Sequence, residues 1–139
     1  MTNQPFHLAI PVHNLKVAKR FYAEVLDCEQ GRSSESWIDF NFYGHQFVLH
    51  EVLDYEPQNH FNSVDEKSVP VPHFGVVLIW ENFWDLSKRL KDFNIKFQIE
   101  PYIRFQGKIG EQATMFFYDP SGNALEFKAF KNPDELFKS

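Results

Sequence analysis

Apolar and polar residues alternate in short runs along this chain, and stretches of helical spacing separate the runs. Phe6, Leu8 and Ile10 fall on one side of a segment expected to be extended over 6–12, with His7 and Ala9 on the other. Leu15, Ala18, Phe21, Tyr22, Val25 and Leu26 then recur on one stripe, which predicts a helix over 15–26 capped by Asn14. Alternation resumes over 37–42, turns at Tyr43-Gly44-His45, and continues over 46–50. The first part of the chain therefore reads as strand, helix, then a short run of antiparallel strands.

Residues 53–71 break the pattern. Pro57, Asn59, Asn62, Ser63, Asp65 and Pro70 are turn formers, so this stretch is expected to be a linker, long enough to cover something. After it the first unit repeats. His73 opens a second apolar strand over 73–79 as His7 opens the first, and Asn82 with Asp85 resembles a capping box for a helix carrying Phe83, Leu86, Leu90 and Phe93. A strand near 96–99, a glycine-containing loop over 101–110 and a strand ending at Tyr118 follow. The reading is a duplicated βαβββ unit in one α+β domain: module 1 over about 5–52, the linker, module 2 over about 72–130 and a tail over 131–139. In the tail, Asn132-Pro133-Asp134-Glu135 has the cap, proline and acidic first turn of a short helix.

The last two strands are joined by Asp119-Pro120-Ser121-Gly122-Asn123, which suits a tight reversal. Beyond it, Leu125 and Phe127 share one face, while Ala124, Glu126 and Lys128 share the other. The large apolar residues of all strands are expected to pack under the helices. The opposite face then collects His7, Trp37, Asp39, Asn41, His50, His73, Thr114, Phe116, Glu126 and Lys128.

Composition narrows the function. The 139 residues are 43% hydrophobic and include sixteen Phe, which fits one soluble domain with a real core. The net charge of −5, with scattered Lys and Arg, disfavours nucleic-acid binding. No apolar run is long enough for a membrane span, and no signal-peptide layout opens the chain. The single cysteine, Cys28, is read as an ordinary buried thiol and is compatible with a reducing cytoplasm. Two histidines at matching points of duplicated strands, with a carboxylate in phase on the closing strand, form a distinctive set. Two imidazoles and one carboxylate are the ligands of non-haem Fe(II) oxygenases and of several Zn or Mn sites.

These residues carry a resemblance. His7, Lys19-Arg20-Phe21-Tyr22 with Val25-Leu26, His73, and the closing run from Phe117 to Glu126 resemble the vicinal oxygen chelate superfamily. That superfamily includes glyoxalase I, type I extradiol dioxygenases, fosfomycin-resistance transferases and bleomycin-resistance proteins. The resemblance implies that the paired modules curve into a half-open barrel of mixed sheet with the helices outside. It implies His7, His73 and Glu126 as ligands of a divalent metal, with Fe(II) favoured and Zn, Mn or Ni as alternatives. It also implies a small-molecule substrate with adjacent oxygens, and a homodimer.

Within that frame the expected activity is dioxygenase-like. A glyoxalase-type isomerase or lyase and a non-enzymatic drug-binding protein are the alternatives. His50 and Tyr118 are the candidate acid/base residues. Trp37, Asp39 and Asn41 are expected to line the cavity, and Arg104 and Lys108 to clamp an anionic group of the substrate.

Overall fold

The βαβββ order occurs twice in the structure, a computed structural model that describes residues 3–58 and 60–139. The chain divides into two units, Met1–Pro57 with Asp119–Asn123, and Gln58–Tyr118 with Ala124–Ser139.

Unit 1 comprises β1 (His7–Val12), α1 (Leu15–Arg20), β2 (Glu29–Ser33), β3 (Trp37–Phe42) and β4 (His45–Glu51). Its sheet has the order β1-β4-β3-β2, with β1 parallel to β4 and the other pairs antiparallel. Asn14 caps α1 as expected, its side chain accepting the Val17 N–H at 3.1 Å, and Glu51 accepts the Leu15 N–H at 2.9 Å. The helix does not stay regular to residue 26: a π-helical turn spans Phe21–Val25. Phe21, Tyr22, Val25 and Leu26 are all buried, and the Tyr22 ring meets those of Phe40 and Phe47 with centroids 6.1 and 4.9 Å away. Each such side chain contributes about 1.5–3 kcal/mol by leaving water.

Unit 2 comprises the hairpin β5 (His60–Val64) and β6 (Lys67–Val71), then β7 (Val77–Leu78), α2 (Trp80–Asp92), β8 (Phe97–Arg104), β9 (Gln112–Tyr118) and β10 (Ala124–Phe130). Its main sheet has the order β7-β10-β9-β8, again with the first and last strands parallel. Helix α2 packs on β9 and β10, burying Phe83, Leu86 and Leu90 against Met115, Phe117, Leu125 and Phe127. Phe117 and Phe127 stack with ring centroids 5.9 Å apart.

Several expectations change. The segment read as a linker contains the β5–β6 hairpin, whose two-residue turn is Asp65-Glu66 with φ of 51° and 62°. Such a turn needs two left-handed residues and is normally announced by Asn-Gly or Asp-Gly, so the sequence conceals it. The helix over 80–92 starts before the expected cap: Ile79 occupies the cap position without a side-chain hydrogen bond, and Asn82 lies inside the helix. Trp80 and Trp84, one turn apart with rings 5.9 Å apart, account for the extra turn. Strand β8 runs through Pro101 to Arg104, where a loop was expected. The register shifts between Ile99 and Tyr102, and such an irregularity is where a strand tolerates a residue lacking an N–H. Phe6 does not pack under a helix and is 64% exposed. In the tail, Asn132 accepts the Asp134 N–H and Pro133–Glu135 forms a single 3-10 turn.

Candidate metal-binding site

In unit 2 the first strand is broken. Phe74 bridges Leu125, and regular pairing resumes only at Val77 and Leu78. Gly75 explains how the backbones approach: a Cβ there would lie 1.5 Å from the Glu126 carbonyl oxygen. Without that Cβ, Glu126 N–H donates to the Phe74 carbonyl at 2.8 Å, and Phe74 N–H to the Ala124 carbonyl at 3.2 Å. Glu126 is thereby fixed in register beside the segment that carries His73.

The side chains then meet. His73 Nε2 lies 3.0 Å from Glu126 Oε1, and His73 Nδ1 lies 2.7 Å from the Pro70 carbonyl oxygen on β6. A carbonyl only accepts, so Nδ1 carries a proton and Nε2 is the nitrogen turned toward the carboxylate. Thr114 donates its hydroxyl to Glu126 Oε2, and Lys128 Nζ stands 3.8 Å from the same oxygen. Phe116, opposite Glu126 in the ladder, sets its ring edge-on to His73 at 5.1 Å. Phe116 in turn packs with Val69 of the hairpin and Ile99.

This arrangement shifts both groups. The hydrogen bond to Glu126 raises the His73 pKa, against the opposing effect of burial. Burial pushes the Glu126 carboxyl up, but hydrogen bonds from His73 and Thr114 and the Lys128 charge outweigh it, so its pKa is lowered. Each shift favours the charged form of its own group, because each faces a partner of opposite sign.

The donors suit a divalent ion. Two ligands each about 2.1 Å from a common cation and about 90° apart are separated by roughly 3 Å, close to the His73–Glu126 spacing. The Nδ1–H donated to a backbone carbonyl is the outer contact that holds a ligating histidine in its tautomer. His7, in unit 1, follows the same rule: its Nδ1 meets Gln46 Oε1 at 2.8 Å, leaving Nε2 uncommitted. Among the described residues, no group of three or more His, Cys, Asp or Glu side chains is arranged to hold a metal ion.

The remaining candidates lie as follows. His50 is exposed, paired in register with Trp37 and Pro11 in unit 1. Asp39 faces Arg32 of β2 at 3.8 Å, and Asn41 Oδ1 accepts the N–H of Gly44 in the β3–β4 turn at 2.8 Å, so each has a partner within unit 1. Arg104 ends β8 and binds Asp65 at 2.6 Å, where Tyr102 also donates at 3.1 Å; Lys108 sits in the exposed loop beyond. Burial raises the pKa of the Tyr118 phenol. Cys28 is buried, and burial pushes its thiol up to about 12, so it is inert at neutral pH. Alternation had placed Thr114 and Lys128 on the face of Glu126, but nothing local marked them as its partners. No sequence signal pointed to the Pro70 carbonyl.

Comparison with known proteins bears on the family and the fold. The family model for the Glyoxalase/Bleomycin resistance protein/Dioxygenase superfamily matches residues 4–127. A glyoxalase/bleomycin resistance protein/dioxygenase from Alicyclobacillus acidocaldarius is 32% identical, with 97% of each chain covered and a TM-score of 0.79. The fosfomycin resistance protein FosX from Listeria monocytogenes shares the fold at 19% identity, with 98% and 100% coverage and a TM-score of 0.72. A lactoylglutathione lyase from Agrobacterium tumefaciens does so at 15% identity, with 99% and 98% coverage and a TM-score of 0.68. No curated protein matches the chain.

Proposed function

Because the chain belongs to the Glyoxalase/Bleomycin resistance protein/Dioxygenase superfamily, we propose that it is a divalent-metal-dependent, dioxygenase-like enzyme acting on a small molecule with adjacent oxygens. The observation that carries this reading is the His73 Nε2–Glu126 Oε1 contact at 3.0 Å, with Nδ1 anchored on the Pro70 carbonyl. We assign His73 and Glu126, with His7, as the metal ligands, and Fe(II) as the favoured metal. Bound there, a divalent ion supplies Lewis acidity to two neighbouring substrate oxygens and stabilises the negative charge that develops on them.

The chain's own residues prepare that site. Pro70 keeps the His73 proton on Nδ1, so Nε2 is the donor atom. Thr114 orients the carboxylate through Oε2, leaving Oε1 for the cation. Phe116, 4% exposed, walls one side of His73 and limits water. His50 and Tyr118 are the proposed proton-moving groups, and Trp37, Asp39, Asn41, Arg104 and Lys108 the proposed substrate contacts. Exposed Phe6, Val77 and Ile79, at or beside the edge strands β1 and β7, favour a homodimer, to be checked by sedimentation. The unpaired, buried Cys28 fits a reducing cytoplasm.

Metal analysis of protein purified without added metal tests the proposal, together with oxygen uptake. The expectation is one divalent ion per chain, lost in His73→Ala, Glu126→Ala and His7→Ala, and oxygen consumption with a catechol-type substrate. Metal content unchanged in all three variants would refute the site. Turnover without oxygen uptake would replace the dioxygenase by an isomerase.

A further inference from the structure

Lys128 is an unusual neighbour for a metal ligand. It lies two residues beyond Glu126 on the same face of β10, directly opposite Thr114 in the ladder. Its side chain is 28% exposed, and its ammonium stands over the Phe130 ring at 5.9 Å. Its backbone N–H donates to the Val76 carbonyl at 3.3 Å, but among the described residues its ammonium makes no hydrogen bond; the carboxylate it meets is Glu126, at 3.8 Å, beyond hydrogen-bonding reach. Thr114 does not serve as its acceptor, because its own proton goes to Glu126. An ammonium with three donors and no acceptor among the described side chains can take one from a ligand.

The charges say which kind. Without metal, the Lys128 ammonium faces the single negative charge of Glu126. This cluster is therefore not acidic, although the chain carries a net charge of −5. Once a divalent ion takes the carboxylate, Lys128 loses the one anion it faces and is left beside a second cation. An anionic group on the ligand relieves that repulsion and supplies the missing acceptor.

We propose that Lys128 is the anion anchor of the substrate site, selecting ligands that carry a carboxylate or similar anionic group in addition to the two adjacent oxygens. This rests on the metal-site reading above. Lys128 binds the substrate's anionic arm, while His73 and Glu126 hold the ion that takes its oxygens. A Lys128 that served only as counter-ion to Glu126 would alter metal content or stability and leave ligand preference unchanged.

The test uses the metal-loaded full chain and three probes: catechol, 2,3-dihydroxybenzoate and 3,4-dihydroxybenzoate, titrated by calorimetry. At least one carboxylated probe is expected to bind about tenfold more tightly than catechol, the size of one charge-assisted contact. Lys128→Met is expected to abolish that preference while keeping metal content and catechol affinity. Lys128→Arg is expected to restore it in part. Metal retained with the preference intact in Lys128→Met, or no preference in the wild type, overturns the Lys128 assignment alone. A wild-type chain that takes up no metal overturns the metal site and the anchor with it.

Discussion

The two βαβββ units share an order of strands and differ in what that order presents. In unit 1, β1 pairs with β4 along its whole length, His7 opposite Gln46 and Ala9 opposite Val48. In unit 2 the matching register runs through Phe74–Leu125 and Val77–Lys128, which sets Gly75 opposite Glu126. The place of Glu126 is thus held in unit 1 by Val48, which is 6% exposed, and that of Lys128 by His50. Accordingly His7 meets a neutral amide, whereas His73 meets a carboxylate. One scaffold therefore carries two kinds of polar position. The regular strand supports packing, and the strand interrupted at glycine lets a carboxylate stand against the chain that carries a histidine.

The largest expected break in this comparison is Gly75→Ala. The added Cβ would overlap the Glu126 carbonyl, and no side-chain adjustment relieves a clash with backbone. A loss of more than about 3 kcal/mol is expected by denaturant unfolding. Ala9→Ser, at the matching exposed position, should cost within about 0.5 kcal/mol. Equal effects at the two positions would show that the strands are not differently built.

Exchanging the chemistry comes next. Val48→Glu buries a carboxylate with no partner and is expected to cost about 3 kcal/mol or more, read as a lowered melting temperature. Thr114→Val removes the hydrogen bond to Glu126 and, at the proposed metal site, should weaken metal binding about tenfold with little change in fold. Competition against a fluorescent chelator measures that loss.

A smaller effect is expected in the network that gathers the closing turn into unit 1. Asp119, 4% exposed, accepts from the Ser121 and Asn123 N–H groups and from the Tyr22 hydroxyl at 2.8 Å. Burial, followed by the Asp119 charge and hydrogen bond, raises the Tyr22 phenol well above its ordinary value. Tyr22→Phe removes one donor from a buried carboxylate and should cost about 1–3 kcal/mol. Calorimetric melting of the variant measures it.

The mildest effect concerns pH at the hairpin tip. The Arg104 hydrogen bond, aided by Tyr102, holds the Asp65 carboxyl below its usual value of 3.8. A depressed folded value means that the latch contributes above the unfolded pKa and is lost as pH falls through the folded one. The protection of the β5 and β6 amides, taken relative to their intrinsic exchange rates, should therefore fall below about pH 3.8, and Asp65→Asn should show the lower protection already at neutral pH. Exchange in the variant that matched the wild type at neutral pH would remove Asp65 from the latch.

The sequence by itself determined the repeat, because a strand of period two and a helix of period 3.6 are written in local apolar spacing. It placed His73 in phase with Glu126, although His73 lies ahead of the broken first strand and not in it, and it placed a turn at Asp119–Asn123 between the last two strands. It concealed what depends on backbone conformation without its usual residue types: the hairpin turned at Asp65-Glu66, the strand continuing through Pro101, and the helix begun at Trp80. Only the tertiary structure decided which polar side chains meet. The Pro70 carbonyl on His73, the Thr114 hydroxyl and Lys128 ammonium on Glu126, and the Gly75 gap that admits them join strands distant in sequence. Phase along a strand states which way a side chain points, and only the pairing of strands supplies what it meets.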